Sequence, residues 1–326
     1  MGGSSYDRDV YGVDSSSGWG SSGSSGYYGG SSTSSSYARA RMSATALDAS
    51  MLPNDKTLKS KTKSPIILVL DVTGSNINFA RIVYDKLPMF YGQIEQQGYL
   101  EDFELSICAV GDAYTDDYPM QIGDFAKGIE LDAQIEKLVL ESGGGGQGME
   151  SYELMAYYVF EKTEFEPGAE PIIFFIGDEA PYPRVNKKQA RKFGMECDEE
   201  MNPFPNLCKK FHDNIFILLN PYGGSYWKDN ITNEWINRLP PEHVVKINDE
   251  KSIVDLMLGV ISMVSKSRTL KNYTVDMLNR GQDALRIAGV TNSLQKLSDS
   301  LELVKVNGTI TKTDSTKKAT QKGKRL

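Results

Sequence analysis

Between residues 64 and 267 the sequence alternates short apolar runs with stretches of helical spacing, and this alternation restricts the fold more than any other feature. The apolar runs have the length and composition of strands buried on both faces; they are IILVL (66–70), FELSICAV (103–110), IIFFI (172–176), NIFILL (214–219) and HVVKI (243–247). The stretches between them carry apolar residues three and four positions apart, as amphipathic helices do: FARIVYDKLPMFYGQI, LDAQIEKLVL, ESYELMAYYVFEK and KSIVDLMLGVISMV. This order predicts an α/β fold with right-handed crossovers, in which a doubly wound, mainly parallel sheet is flanked by helices.

The regions outside this block have a different composition. Residues 1–63 are rich in Gly, Ser and Tyr and then polar, with too few aliphatic residues to offset the chain entropy lost on folding; this predicts a disordered arm and linker. The aromatic residues of the arm leave open weak self-association or a short docking peptide. Residues 268–305 carry apolar stripes that predict a helical extension, broken near Gly289. Residues 306–326 predict a basic, disordered tail, either solvated or in contact with a phosphate backbone or an acidic partner.

Charge and cysteine content exclude several classes of protein. A net charge of −7 argues against a globular surface that coats nucleic acid, which leaves the basic tail as the one place for such contacts. The three cysteines form no CxxC pair and are typical of reduced thiols, which predicts a cytoplasmic location. The amino terminus lacks a basic and an apolar signal region, and the apolar runs are too short to cross a bilayer. We therefore expect no contact with a membrane.

Polar residues follow the first and third apolar runs, where a bound ligand is expected in an open parallel sheet. IILVL is followed by Asp71, Thr73, Gly74 and Ser75, and IIFFI is followed by Gly-Asp178-Glu179. A glycine-rich loop, SGGGGQGMES (142–151), ends in Glu150 and Ser151 just before a helical stretch. Since the carboxyl ends of parallel strands meet at one edge of the sheet, we expect all three loops to converge there.

The residue types in these loops are those that bind a hard cation. In the D-x-T-x-S pattern the side chains of Asp71, Thr73 and Ser75 alternate towards one centre, and Gly74 allows the tight turn. Carboxylates gathered at one place repel one another unless a cation compensates their charge. A site with few carboxylates, two hydroxyls and room for water suits Mg²⁺ or Mn²⁺ better than Ca²⁺.

These three loops resemble the metal-ion-dependent adhesion site (MIDAS) of von Willebrand factor A (vWA) domains, of the intracellular type. The first motif of that family, D-x-S-x-S, is matched with Thr73 in place of the first serine. The resemblance covers residues 64–267. It implies a metal site formed by Asp71, Thr73, Ser75, Glu150 and Asp178, with Gly74, Ser151 and Glu179 in supporting or loop positions. Glu150 and Ser151 both remain candidates for the ligand from the second loop, since other family members use a threonine there.

The resemblance also implies a function without catalysis. In such domains the cation keeps one coordination position open, and an acidic side chain of a protein partner completes it. Intracellular relatives act in assembly or remodelling complexes, sometimes beside an AAA ATPase. The expected function is therefore a divalent-cation-dependent protein-interaction module.

Several alternatives compete with this interpretation. An assembly subunit with a purely structural metal is one; a Mg²⁺-dependent hydrolase is another, for which Arg184, Lys187 and Lys188 are the candidate basic residues. Asp71 and Asp178 are also typical turn or cap residues, and Glu150 is favourable near a helix N-terminus. A dinucleotide-binding loop, a Walker A loop and an aspartic-protease motif are excluded by the position of the glycine loop, by Met149 and by Val72. His212, Trp227 and Trp235 are expected to be packing residues.

Overall fold

The computed structural model describes residues 47–54, 56–141, 148–221 and 223–321, with side chains to residue 303 except that of Asn78. The glycine loop 142–147, the predicted disordered arm as far as residue 46 and the last five residues lie outside this part. Ten strands are present in it. They are β1 (Leu58–Ser60), β2 (Ser64–Asp71), β3 (Phe103–Val110), β4 (Met120–Ile122), β5 (Met149–Glu150), β6 (Thr163–Phe165), β7 (Ile172–Gly177), β8 (Ala180–Pro181), β9 (Ile215–Leu219) and β10 (Val244–Lys246).

The central sheet has six strands in the order β10-β9-β7-β2-β3-β4. All neighbours run parallel except β4, which pairs antiparallel with β3. The five strands predicted from the apolar runs are all present, each with its ends within two residues of the prediction. The α/β fold with a mainly parallel sheet is thus confirmed.

Helices cover both faces of this sheet. They are α1 (Ile77–Gln97), α2 (Glu130–Ile135), α3 (Tyr152–Glu161), α4 (Lys187–Lys192), α5 (Phe204–Lys210), α6 (Ser225–Ile236), α7 (Ile253–Val264), α8 (Leu270–Asn279) and α9 (Ala284–Gln321). Alternate residues of β2 point to opposite faces, as the pleat requires: Ile66 and Leu68 pack with α1 and α7, and Ile67 and Val69 pack with α3 and α6. Each large apolar side chain buried in this way contributes about 1.5–3 kcal/mol. None of the helices in the described residues is long and apolar enough to cross a membrane.

The helix predicted over LDAQIEKLVL is shorter than expected. Helix α2 ends at Ile135, although Leu138 and Val139 after it are buried as the apolar pattern required. The Gln121 side chain accepts a hydrogen bond from the Val139 amide and donates one to the Val139 carbonyl, both at 2.8 Å. These bonds satisfy the backbone of Val139 without helical partners, so the chain leaves the helix while it keeps its apolar side chains in the core.

The break in the carboxyl-terminal helical region lies at Gly281 and not near Gly289. Helix α8 ends at Asn279, Gly281 adopts a left-handed conformation (φ 76°), and α9 begins at Ala284 with Gly289 inside it. Glycine is the residue that tolerates a positive φ, whereas in a helix it only weakens the segment. The backbone of α9 continues to Gln321, beyond residue 305 where the sequence placed the end of the helical extension.

The segment 47–63, which the sequence assigned to a linker, packs on the domain. Strand β1 pairs in parallel with β6, and Met51 and Leu58 are each 1% exposed. The segment is rich in lysine, so its overall composition is polar and did not indicate that Met51 and Leu58 would be buried. The domain boundaries drawn from the sequence otherwise stay predictions.

Candidate metal centre

The three polar loops meet at the carboxyl-end edge of the sheet. The first loop follows β2 and the third follows the neighbouring strand β7. The described end of the second loop joins the third through β5 and β8, where Met149 is paired with Ala180 and Glu150 with Pro181. The parallel register therefore brings together loops that are about a hundred residues apart in the chain.

Asp71 is the buried anchor of the first loop. Its Oδ1 accepts hydrogen bonds from the amide and the hydroxyl of Thr73, at 2.9 and 2.7 Å. Its carbonyl accepts one from the Asn76 side chain at 2.8 Å, which fixes the turn into α1. Since the hydroxyl hydrogen of Thr73 is directed to Asp71, the lone pairs of that oxygen remain available to a cation. Asp71 therefore stabilises the turn after β2, as expected of a turn residue. It also lies in the carboxylate cluster, so the two roles are compatible.

Gly74 and Ser75 lie at the surface of the first loop, whereas Thr73 is buried. A hydrogen bond from Ser75 opposes the rise in the pKa of Asp178, so the first and third loops are in direct contact. Ser75 is the exposed residue of the predicted set. A ligand that reached the centre from outside would pass beside it.

Glu150 and Asp178 are buried carboxylates with unpartnered oxygens. They are 2% and 3% exposed, and neither Oε2 of Glu150 nor Oδ1 of Asp178 has a hydrogen-bond partner. A buried acceptor without a partner costs about 1–3 kcal/mol, and more if it is charged. Such atoms are rare in folded proteins, and a bound cation or an ordered water is a common explanation for them.

The electrostatics of the site show the same deficit of positive charge. Burial, followed by the charge of Asp71, raises the pKa of Glu150 to about 11 and that of Asp178 to about 8. Burial also raises the pKa of Asp71, against the hydrogen bonds from Tyr152 and Thr73. Among the salt bridges of the described residues, none includes these three carboxylates. The cluster is therefore stable in ionised form only with a cation nearby.

The structure separates the two candidates for the ligand from the second loop. Ser151 is fully buried, and its Oγ accepts a hydrogen bond from the amide of Ala113 at 2.9 Å. It thereby ties the start of α3 to the loop after β3. Glu150, in contrast, has an oxygen without a partner, which favours Glu150 as the ligand. Its assignment stays a prediction, as do those of the other proposed ligands.

Sequence reasoning missed the loop after β3. There Asp112 is fully buried; its amide donates to Asp116 Oδ2 at 2.7 Å, and its Oδ1 accepts from the hydroxyl of Tyr182 at 3.2 Å. Asp112 and Asp116 both raise the pKa of Glu150, so they belong to the same electrostatic neighbourhood. The signal was present in the sequence, because Gly-Asp follows the apolar run FELSICAV as it follows the run IIFFI.

The donor set fits a hard cation on one condition. Among the described residues, no group of three or more His, Cys, Asp and Glu side chains is arranged to hold a metal ion on its own. A cation here would need the hydroxyls of Thr73 and Ser75, and water, in addition to the carboxylates. Such mixed oxygen donors are those that Mg²⁺ accepts, since it retains several waters when bound to proteins.

The residues proposed for a hydrolase make no bond to this cluster in the described part of the chain. Lys187 and Lys188 begin α4, where the Asn186 side chain caps the helix, and Arg184 is exposed. Within the described part of the chain, no hydrogen bond or salt bridge links any of the three to the site.

Of the two tryptophans expected to pack, Trp235 is fully buried and donates to the Glu179 carbonyl at 2.9 Å, but Trp227 is 56% exposed.

Comparison with known proteins gives structural likenesses at low similarity. No family model and no curated protein matches the chain. Matching solved structures include the pilus adhesin SpaC from Lactobacillus rhamnosus GG in its open conformation, with 11% identity and a TM-score of 0.45, over 66% of this chain and 31% of the adhesin. Another is proximal thread matrix protein 1 (PTMP1) from the mussel byssus with a zinc-occupied MIDAS motif, with 11% identity and a TM-score of 0.43, over 63% of this chain and 46% of that protein. The chain spans less than half the length of both structures, and similarity at this level carries no inference about its function.

Proposed function

We propose that this chain is a divalent-cation-dependent protein-interaction module. The observation that carries the proposal is the pair of buried, unpartnered carboxylate oxygens on Glu150 and Asp178, beside Asp71 and without a basic partner among the described residues. A cation at this edge of the sheet would satisfy both oxygens and offset the repulsion among the carboxylates.

Each residue has a distinct part in the proposed centre. Thr73 and Ser75 would present hydroxyl oxygens to the ion, and Glu150 and Asp178 would supply negative charge. Asp71, already bonded to Thr73, would orient that hydroxyl and add its charge. The bound cation would supply a coordination position that a carboxylate of a partner completes. The solvent-exposed side of Ser75 is where that carboxylate would enter.

Metal titration tests the centre directly. We expect chelator-treated protein to bind Mg²⁺ and Mn²⁺ saturably at about one ion per chain, with Ca²⁺ weaker because the donors are few. Isothermal titration calorimetry gives the stoichiometry and the dissociation constant. Absence of saturable binding by folded protein would overturn the proposal.

The rim of the centre restricts the partner further. The charges of Glu179 and Asp116 act on Glu150, and those of Asp116 and Asp117 act on Glu141. Apart from the buried Glu150, these acidic residues are half-buried or exposed. Burial and then the charges of Asp71 and Asp112 raise the pKa of Glu179 to about 7. A single divalent ion offsets only part of this negative field. We therefore propose that the partner presents one acidic residue with neutral or basic residues beside it.

Short peptides test this charge pattern. A peptide with a central glutamate flanked by lysines is expected to bind the Mn²⁺-loaded protein more tightly than one flanked by glutamates, by about tenfold at low salt. Replacement of the central glutamate by glutamine should abolish the binding, and added salt should weaken it because the rim charges are screened. Fluorescence anisotropy of labelled peptides measures all three. Equal affinity for both flanks, or for the glutamine peptide, would contradict the proposed partner.

A purely structural metal in an assembly subunit is the alternative with the same site. It predicts that metal raises thermal stability but leaves binding of the glutamate peptide unchanged. Catalysis by a Mg²⁺-dependent hydrolase has no specific observation in its favour. An assembly or AAA ATPase complex as partner, a cytoplasmic location and weak nucleic-acid contacts of the basic tail remain proposals from the sequence.

A further inference from the structure

Tyr152, in the first turn of α3, contacts the first loop of the centre through its hydroxyl. Its side chain is fully buried, and its Oη donates a hydrogen bond to Oδ2 of Asp71 at 2.6 Å. The two residues are 81 positions apart in the chain. With the two bonds from Thr73 to Oδ1, Asp71 has a donor at each of its carboxylate oxygens. Three donors fix the plane of that carboxylate.

Gly177, the last residue of β7, leaves the space that this hydroxyl occupies. A Cβ atom at position 177 would lie 1.8 Å from Oη of Tyr152 and 2.8 Å from its Cζ. Real Cβ atoms do not approach other atoms so closely, so any other residue would displace the phenol from Asp71. The glycine that precedes Asp178 is therefore required by Tyr152 and not by its own backbone conformation.

The ring of Tyr152 also connects to the third loop. It packs edge-to-face on Trp235, with ring centroids 5.2 Å apart, and the Trp235 indole donates to the carbonyl of Glu179 at 2.9 Å. Phe175 supports the ring from β7 at 6.4 Å. The Tyr152 side chain thus contacts the first loop directly through its hydroxyl, and it is linked to the third loop through the ring of Trp235.

We propose that Tyr152 is the positioning residue of the centre, which holds Asp71 so that the Thr73 hydroxyl faces the ion. This inference rests on the proposed function, because it assigns a role in cation binding. Without the phenol hydroxyl, Oδ2 of Asp71 loses this donor, and of the three bonds only the two from Thr73 to Oδ1 still restrain the carboxylate. The plane of the carboxylate, and with it the direction of the Thr73 hydroxyl, is then less firmly fixed. Partners that orient metal ligands in this way typically account for 10–100-fold in metal affinity.

Tyr152→Phe tests the proposal, with Tyr158→Phe as the matched control. Tyr158 lies on the same helix and is equally buried, but its hydroxyl donates to the Lys56 carbonyl at 2.9 Å, away from the centre. We expect Tyr152→Phe to weaken Mn²⁺ binding by at least about tenfold and Tyr158→Phe to change it by less than about twofold. Calorimetric titration of the full chain with Mn²⁺ measures both dissociation constants.

The electron paramagnetic resonance spectrum of bound Mn²⁺ separates a positioning role from a structural one. Its line shape reports the symmetry of the ligands, so it should change in Tyr152→Phe and stay as in the wild type in Tyr158→Phe. A Gly177→Ala variant that folds should show the same loss of affinity as Tyr152→Phe, because the added methyl group displaces the hydroxyl. Gly92→Ala, where nothing lies within 4 Å of the added methyl group, is its control.

The outcomes distinguish this inference from the proposed function. If the folded wild type does not bind Mn²⁺, the proposed function is overturned and the role of Tyr152 with it. If the wild type binds, but Tyr152→Phe binds within about twofold and with an unchanged spectrum, the metal centre stands and the positioning role is overturned. Equal losses in Tyr152→Phe and Tyr158→Phe would show a general effect of losing a buried hydroxyl, which also overturns it.

Discussion

Asp71→Asn is expected to abolish cation binding and at the same time to make the metal-free protein more stable at neutral pH. Burial is the main cause that raises the pKa of Asp71, which means that the folded state disfavours its charge. Asparagine has nearly the same shape and can still accept the hydrogen bonds from Thr73, so the turn should persist. The neutral side chain removes the repulsion with Asp178 and Glu150, but it also removes the charge that attracts a cation.

Thermal unfolding with chelator and with Mg²⁺ measures both effects of Asp71→Asn. The wild type should gain about 2.7 kcal/mol of stability when Mg²⁺ is present at a hundred times its dissociation constant, and Asp71→Asn should gain nothing. Asp255→Asn is the matched control. Asp255 is also buried, but it pairs at 3.1 Å with Arg280, which follows the last residue of α8, so this variant should lose stability and keep its response to Mg²⁺. An Asp71→Asn protein that is still stabilised by Mg²⁺ would contradict the assignment of Asp71.

The stability of the metal-free protein is expected to fall as the pH rises, and Mg²⁺ should remove that fall. Burial raises the pKa of Asp178 from 3.8 to about 8 and that of Glu179 from 4.5 to about 7. At pH values between the ordinary and the raised pKa of each group, the folded state binds more protons than the unfolded state. The free energy of unfolding therefore decreases as the pH rises through this range. Protonated carboxyls predominate in both states only below the ordinary pKa values of 3.8 and 4.5, and the loss of stability is complete only above the raised pKa values. Glu150, with a pKa of about 11, extends the trend to higher pH.

Cation binding reverses this dependence because a bound ion requires ionised carboxylates. We therefore expect the melting temperature in chelator to drop between about pH 7 and pH 9, and the gain from Mg²⁺ to grow over the same range. This window avoids His243, whose pKa is lowered by burial and which favours the folded state as the pH rises towards 6.5. Asp178→Asn should reduce the slope in chelator. A melting temperature that rises with pH in the absence of metal would contradict the electrostatic account of the site.

The sequence was sufficient for those features that depend on local pattern and on the parallel-sheet rule. Apolar runs gave the five strands, since a strand buried on both faces has a continuous apolar composition. The first and third loops were placed correctly because both follow such strands directly. Asp71 and Asp178 could therefore be assigned to one edge of the sheet without knowledge of any contact between them.

Features that depend on long-range contacts were decided by the tertiary structure. The role of Gly177 follows from the approach of Tyr152, and the burial of Met51 and Leu58 follows from the pairing of β1 with β6. The periodicity of a helix or strand says which face of it is apolar, but not which distant atom meets a given hydroxyl or carboxylate. The end of α2 was misplaced for the same reason, since the Gln121 side chain replaces helical hydrogen bonds there.

The sequence by itself thus determined the α/β architecture and the carboxylates and hydroxyls that it brings to one edge. The tertiary structure alone decided which of those oxygens are buried without partners and which residue holds Asp71 in place. The physical reason is that hydrophobic periodicity is encoded locally, one residue at a time. Desolvation and hydrogen-bond satisfaction, in contrast, are properties of a site assembled from segments about a hundred residues apart.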